Sequence, residues 1–260
     1  MSLELRFFCV AAIAALALAG CGPREAVVQP LEPEVPSAFD VRLPEIYEPE
    51  ESYPVLVCLP DAGLTEQSVL DMWDGGYFYM PDFILVVVRQ PFEYGAWFKD
   101  DPSEDPLVAR RRAARTGEER ISAVLADVES EYPTDPDWRF ICGFGQGAQV
   151  AFYAGFKHPE LFQGVAGFGA GIDTTLISRR VLRGVRDMDV FATVPLDEEL
   201  LSQAGAKVKV HEIALGQTPP PSALRAMQNF FSLSEEQAPE DDVPYLMPES
   251  EDLPLPDSGE

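Results

Sequence analysis

A short apolar run, WRFICGF at 138–144, ends in a glycine-rich turn and passes at once into the Ala-rich, helix-patterned GAQVAFYAGF at 147–156. Strand, tight Gly-x-x-x-Gly turn from Gly143 to Gly147, then helix is half of a βαβ unit, and such units build parallel sheets. The surrounding chain repeats the alternation. FDVRL (39–43), YPVLVCLP (53–60) and FILVVVRQ (83–90) read as strands, the last continuous enough to be buried on both faces. A helix is expected over 65–74, beginning near Thr65, and another over 118–132, where Ile121, Val124, Leu125, Val128 and Tyr132 share one face. Strands at 138–142, 164–170, 189–194 and 207–215, with helices after the turn and at 198–205 and 222–233, complete the pattern. The expected fold class is α/β, a mostly parallel sheet flanked by helices in a single domain.

Composition narrows where that domain begins and ends. Residues 1–20 carry Arg6 and then an apolar stretch from Phe7 to Ala19, too short to span a bilayer and suited to a signal-peptide core. Leu18-Ala19-Gly20-Cys21 resembles a bacterial lipobox, in which the cysteine is acylated and becomes the mature first residue. Acyl chains at roughly 0.8 kcal/mol per buried CH₂ would hold the protein on a membrane. Residues 21–37 are Pro-rich and polar, a tether. The segment 234–260 is also Pro-rich, with ten acidic and no basic residues from Glu235 onward, and cannot bury enough apolar surface to offset its ordering entropy. The domain is therefore expected at 38–233. A net charge of −25 argues against nucleic acid as a partner. Cys58 and Cys142, the thiols of the folded part, each close an apolar run and read as small buried hydrophobes.

Several segments, in order, resemble the α/β-hydrolase superfamily, in its small carboxylesterase/phospholipase and polyhydroxyalkanoate-depolymerase-like branches. YPVLVCLPDAG is similar to the strand and oxyanion turn usually written as apolar residues followed by His-Gly-x-Gly. ESEYPTDPDWRFICGFGQGAQVAFYAGFKHPELFQGVAGFGA resembles that family's helix, strand, G-F-S-Q-G-G elbow and H-P-x-x-F-x-G return. GAKVKVHEIALGQTPPPSALRAMQNFF resembles its last strand, Gly-His loop and closing helix. The resemblance implies a serine nucleophile in a G-x-S-x-G elbow, a histidine base, a carboxylate to orient it, and an oxyanion hole.

This chain departs from the pattern at each of those points. The nucleophile position is Gly145, which has no side chain, and the base position is Gln217, whose amide does not titrate. Asp197, with Glu198 beside it, is the nearest remnant of the acid, although a solvated residue at a helix start is the plainer reading. The oxyanion turn reads Pro60-Asp61-Ala62 where His-Gly is expected, with Gln146 supplying the second donor position; an inward-pointing carboxylate there disfavours an oxyanion. The elbow residue of an active hydrolase is held at positive φ, at about 1–3 kcal/mol. Glycine adopts that conformation at little cost, so a scaffold released from catalysis gains stability by placing it there.

Nothing in the composition supplies a substitute. The two histidines, His158 at a helix end and His211 inside the last strand, read as packing or surface residues. Thr174, Thr175, Thr218 and Ser222 bear hydroxyls without a base placed beside them. No metal-ligand cluster and no cofactor motif is present in the sequence. Trp97 and Phe98, in YGAWFKD, either line a pocket mouth or simply pack their loop, and the sequence favours neither.

These readings lead to a membrane-anchored, catalytically inactive esterase-like lipoprotein, held through Cys21 in the bacterial cell envelope, with the outer membrane the expected site. It would act on an envelope protein or a small-molecule ligand. The alternative is a weak or non-standard carboxylester hydrolase. A third reading gives the work to the acidic tail, with VPYLMP as a docking motif. Two arginine groups, at 110–120 and 179–186, hold nine of the 19 basic residues; a solvated helix face is the plain reading, docking of the tail the sharper one.

Overall fold

The computed structural model describes residues 38–74, 83–92, 95–98, 103–182, 184–213 and 219–232. The expected signal segment 1–20, the tether 21–37 with Cys21, the tail 234–260, and Gln217 with Thr218 lie outside the described residues.

Seven strands form one sheet: β1 (Phe39–Arg42), β2 (Tyr53–Leu59), β3 (Ile84–Val88), β4 (Thr134–Phe144), β5 (Gly164–Phe168), β6 (Asp189–Ala192) and β7 (Lys207–Val210). Their spatial order is β1-β3-β2-β4-β5-β6-β7, with β1 antiparallel to β3 and every other pairing parallel. The helices are α1 (Glu66–Asp74), α2 (Pro106–Glu131), α3 (Gln146–Lys157), the short α4 (Arg179–Leu182), α5 (Glu198–Gln203) and α6 (Pro221–Phe230).

Side-chain alternation in β2 shows how the sheet is covered on both sides. Val55, Val57 and Leu59 join one apolar cluster, with Ile121, Val124 and Val128 of α2 and Val150 and Phe152 of α3. Leu56 and Cys58 join the opposite cluster, with Val69 and Trp73 of α1 and Leu224 and Met227 of α6. A two-sided strand must be apolar at every position, which is why the central strands read as unbroken runs. Cys58 and Cys142 are both buried and paired across β2 and β4, their sulfurs 3.4 Å apart. Burial, and then the neighbouring Cys58, push the Cys142 thiol well above its ordinary range, the behaviour of an inert thiol.

The largest boundary shifts from the sequence expectation are in α2, β4 and β7. Helix α2 begins at Pro106, twelve residues before the expected start at 118, with Asp105 as its cap accepting from the N–H groups of Leu107 and Val108. Its first half buries Ala109, Ala113, Ala114 and Gly117, residues too small to register as an apolar stripe. β4 starts at Thr134 rather than 138, and β7 ends at Val210, before the described residues 211–213 and short of the expected 215. Among the described helices none is long and apolar enough to cross a membrane.

Candidate active site

Gly145 caps the N-terminus of α3 at φ 48° and ψ −113°, the sharp corner the Gly-rich spacing predicts. Its N–H donates to the Phe168 carbonyl at 2.8 Å, tying the corner to the end of β5. The flanking glycines are required by contact: a Cβ at Gly147 would lie 2.3 Å from the Leu59 carbonyl oxygen, and one at Gly143 would lie 2.4 Å from the Gly147 carbonyl. Strand β4 and helix α3 therefore fold back more closely than any side chain allows.

The turn after β2 faces this corner and is fixed from three sides. Gln90 Nε2 donates to the carbonyls of Asp61 and Leu64, both at 2.9 Å. Trp97 Nε1 donates to the Pro60 carbonyl at 2.7 Å, and the Gly63 N–H reaches the Gly95 carbonyl at 2.8 Å. Gln146 closes the set, its Oε1 accepting from the N–H groups of Trp97 and Phe98 at 3.1 and 3.3 Å.

Held this way, Asp61 turns its carboxylate inward. Oδ1 accepts from the Gln146 N–H at 2.8 Å and from the Ala62 N–H at 2.7 Å. Those two N–H groups, one after the elbow residue and one from the turn after the preceding strand, are the positions from which an oxyanion hole is built. The same carboxylate fills the space of an elbow side chain: a Cβ on Gly145 would lie 2.1 Å from Cγ, Oδ1 and Oδ2 of Asp61. One aspartate thus holds both N–H groups and fills the space beside Gly145.

The remaining candidates are dispersed. Asp197 is exposed at the start of α5, where its carboxylate accepts from the Leu200 N–H at 3.0 Å, so it serves as a helix cap. Trp97 packs its loop: it is fully buried, with its indole N–H donating to the Pro60 carbonyl and its ring 3.4 Å from the space beside Gly117. Phe98 is partly buried beneath the Arg110 guanidinium, 4.4 Å from its ring centroid. His158 lies at the far end of α3, bonded to Glu118 and Glu160. His211 stacks on Phe191 beyond the end of β7. Thr175 gives its hydroxyl to Asp173, while Thr174 and Ser222 are exposed. Among the described residues no group of three or more His, Cys, Asp and Glu is arranged to hold a metal ion.

The arginines of α2 are not a uniformly solvated face. Arg110 bonds Asp173 at 2.5 Å and Gln149 at 2.6 Å, and Arg120 donates to the carbonyls of Arg89 and Gln90 at 2.9 and 3.3 Å. Burial alone would raise the Asp173 carboxyl, but hydrogen bonds from Thr175 and Arg110 outweigh it and hold the group below its ordinary range. Gln90 escapes a sequence reading, its one available signal being a polar residue that closes the apolar run FILVVVRQ, and Arg110 is marked only as one of an arginine group.

A seven-stranded sheet with a glycine corner between β4 and α3, faced by a donor turn after β2, defines an α/β-hydrolase scaffold of the esterase type. The chain belongs to the esterase family: the family model described as "Putative esterase" matches residues 33–213, a span that includes every strand. No curated protein matches in sequence. Among solved structures, esterase PE8 superposes with a TM-score of 0.54 at 19% identity, covering 75% of this chain and 98% of that one. A phospholipase/carboxylesterase from Dyadobacter fermentans gives 0.58 at 13% identity, over 75% and 95% of the two chains. The ferulic acid esterase AmCE1/Fae1A from Anaeromyces mucronatus gives 0.52 at 16%, over 74% and 82%. At such identities the shared property is the fold.

Proposed function

We propose that this chain is a non-catalytic member of the esterase family, lipid-anchored through Cys21 in the bacterial envelope, whose former cleft serves binding or interaction. The observation that carries the reading is the Asp61 carboxylate. Acyl transfer develops negative charge on the substrate oxygen, which must be met by preorganised donors at that point. Here both donors already hold an anion, and a second anion beside it would be repelled. The attacking atom is missing as well, since Gly145 ends at its Cα. Anchoring rests on the Leu18-Ala19-Gly20-Cys21 sequence and the short apolar segment before it.

Family membership supports a second reading, weak or non-standard carboxylester hydrolysis. One assay separates the two: short-chain ester hydrolysis by the purified protein, with serine-reactive phosphonate labelling in parallel. Absence of turnover and of labelling is the expected result. Turnover above the buffer rate that survives repurification would favour the hydrolase, with its nucleophile outside the elbow.

A further inference from the structure

Of the two arginine groups that the sequence marks, the first is nearly spent inside the domain. Arg110 bonds Asp173 and Gln149, Arg111 the Thr175 carbonyl, Arg112 the Glu104 carboxylate, and Arg120 the carbonyls of Arg89 and Gln90. The second group is different. Arg180 and Arg186 are exposed, and neither has an ion pair or hydrogen bond among the described residues. Each stands at a hollow. Arg186 borders one of about 320 Å³ with Phe162, Gln163 and Met188, and Arg180 borders one of about 330 Å³ with Phe156 and Val181. Pro159 lines both, so the two are neighbours. The other charges in their walls are Asp187, Glu160, which is bonded to His158, and Lys157, which is paired with Glu118.

Both hollows lie at the end of the sheet away from the elbow. Gln163 and Met188 directly precede β5 and β6, whereas Gly145 is tied to the last residue of β5. The chain leaves the domain at this same end. Phe231, the residue after α6, stacks on Phe140 with ring centroids 4.7 Å apart, and a Cβ on Gly164 would lie 2.8 Å from its ring. Glu235 and Glu236 follow Ser232 by three and four residues, at most about 10–14 Å of extended chain. Glu240-Asp241-Asp242 and the apolar VPYLMP come next.

Charge decides where such a segment settles. Ten of the chain's 25 net negative charges are in the tail, and the other 15 are on the rest of the chain, which therefore repels it from most of its own surface. The unpaired guanidinium groups of Arg180 and Arg186, beside hollows close to the exit point, reverse that repulsion locally. An exposed ion pair is weak by itself. The tether makes the contact intramolecular, at an effective concentration on the order of millimolar, so pairs too weak to hold a separate peptide suffice. We infer that the acidic tail docks in cis on this face, its carboxylates on Arg180 and Arg186 and Tyr245, its one aromatic residue, in the hollow beside Arg186. The end of the sheet away from the elbow is then covered by the chain's own C-terminus, and salt or a competing polyacidic segment opens it. This goes beyond the reading above and requires neither the anchor nor the loss of ester hydrolysis.

The test is photo-crosslinking of the full-length protein with Tyr245 replaced by p-benzoylphenylalanine, followed by gel analysis and peptide mapping. At low salt the expected product is a crosslink within one chain, from position 245 to a residue lining either hollow. It should be lost at about 1 M salt, where the screening length falls to about 3 Å. Arg180→Glu/Arg186→Glu in the same chain should lower the yield about 10-fold, a few-fold for each exposed pair. Both arginines are exposed, so the folded circular-dichroism spectrum should be retained. The proposal is overturned by no crosslink, by crosslinks mapped elsewhere on the domain, or by equal yield in the doubly substituted chain. A product joining two chains overturns it too, because the tail would then serve a second copy. Mapping with both arginines in place decides even if the double substitution fails to fold.

Discussion

Gly145 and Asp61 are individually unremarkable residues that constrain each other through one contact. Any side chain at 145 meets the carboxylate at 2.1 Å and must also accept φ near 48°. The carboxylate is the movable end of a side chain, so it can swing away, but only by giving up both N–H partners. Gly145→Ala should therefore destabilise the chain by about 3 kcal/mol, combining backbone strain with those lost hydrogen bonds. In an Asp61→Gly background the cost should fall by at least about 1 kcal/mol, because only the strain remains. A double-mutant cycle in urea measures this coupling, and additive costs would show that the contact is not felt. The two residues could be singled out from sequence by their departure from the hydrolase pattern. Their mutual contact could not, because it depends on which way a turn residue points, and that is decided by Gln90 and Trp97, about thirty residues further along the chain.

Among the elements, those with large apolar side chains were readable and those packed through small ones were not. The β-branched run at 84–88 and the Ile121–Val128 stripe are visible because bulk marks the buried face. The first half of α2 packs through alanine and glycine, and its arginines obscure the stripe while Arg110 bonds Asp173. The second half meets α3 at a titrating cluster. Glu118 Oε1 lies 2.7 Å from His158 Nε2, and Lys157 Nζ lies 2.6 Å from Glu118 Oε2. Burial opposes both ionised forms, yet bonds to Glu118 and Glu160 raise His158, and bonds from His158 and Lys157 lower Glu118. A raised His contributes stability that is complete below its unfolded value and is lost as pH rises through the folded one. A lowered Glu contributes above its unfolded value and loses that contribution as pH falls through the folded one. The cluster should be most stabilising between the ordinary Glu and His values. His158→Gln is expected to lower the melting temperature more at about pH 5.5 than at about pH 8.5. An equal decrease at both would assign His158 a packing role alone.

On the scale of the whole molecule, the α/β architecture was legible because strand–helix alternation runs through the chain, whereas the ends speak through composition and one short motif, Leu18-Ala19-Gly20-Cys21. The proposed lipidation makes a direct forecast: expressed in a bacterium, the natural chain should sediment with membranes, and Cys21→Ser should move it to the soluble fraction. Retention of the serine variant on membranes would remove Cys21 as the anchor. The acidic tail carries ten of the chain's carboxylates, and its removal at 235–260 should reduce the dependence of melting temperature on added salt. An unchanged salt dependence would place the tail's charge beyond the reach of the domain.

The blocked oxyanion site is tested most directly by phosphonate labelling of three forms of the protein. They are the natural chain, a Gly145→Ser/Gln217→His variant, and the same variant with Asp61→Gly. The Cβ that Gly145→Ser adds must push the Asp61 carboxylate off its two N–H groups but leaves its charge on the same turn, so restoring nucleophile and base is expected to give weak labelling, and removing Asp61 as well to give strong labelling. Labelling of the natural chain at the cleft, or equal labelling of the double and triple variants, would contradict it.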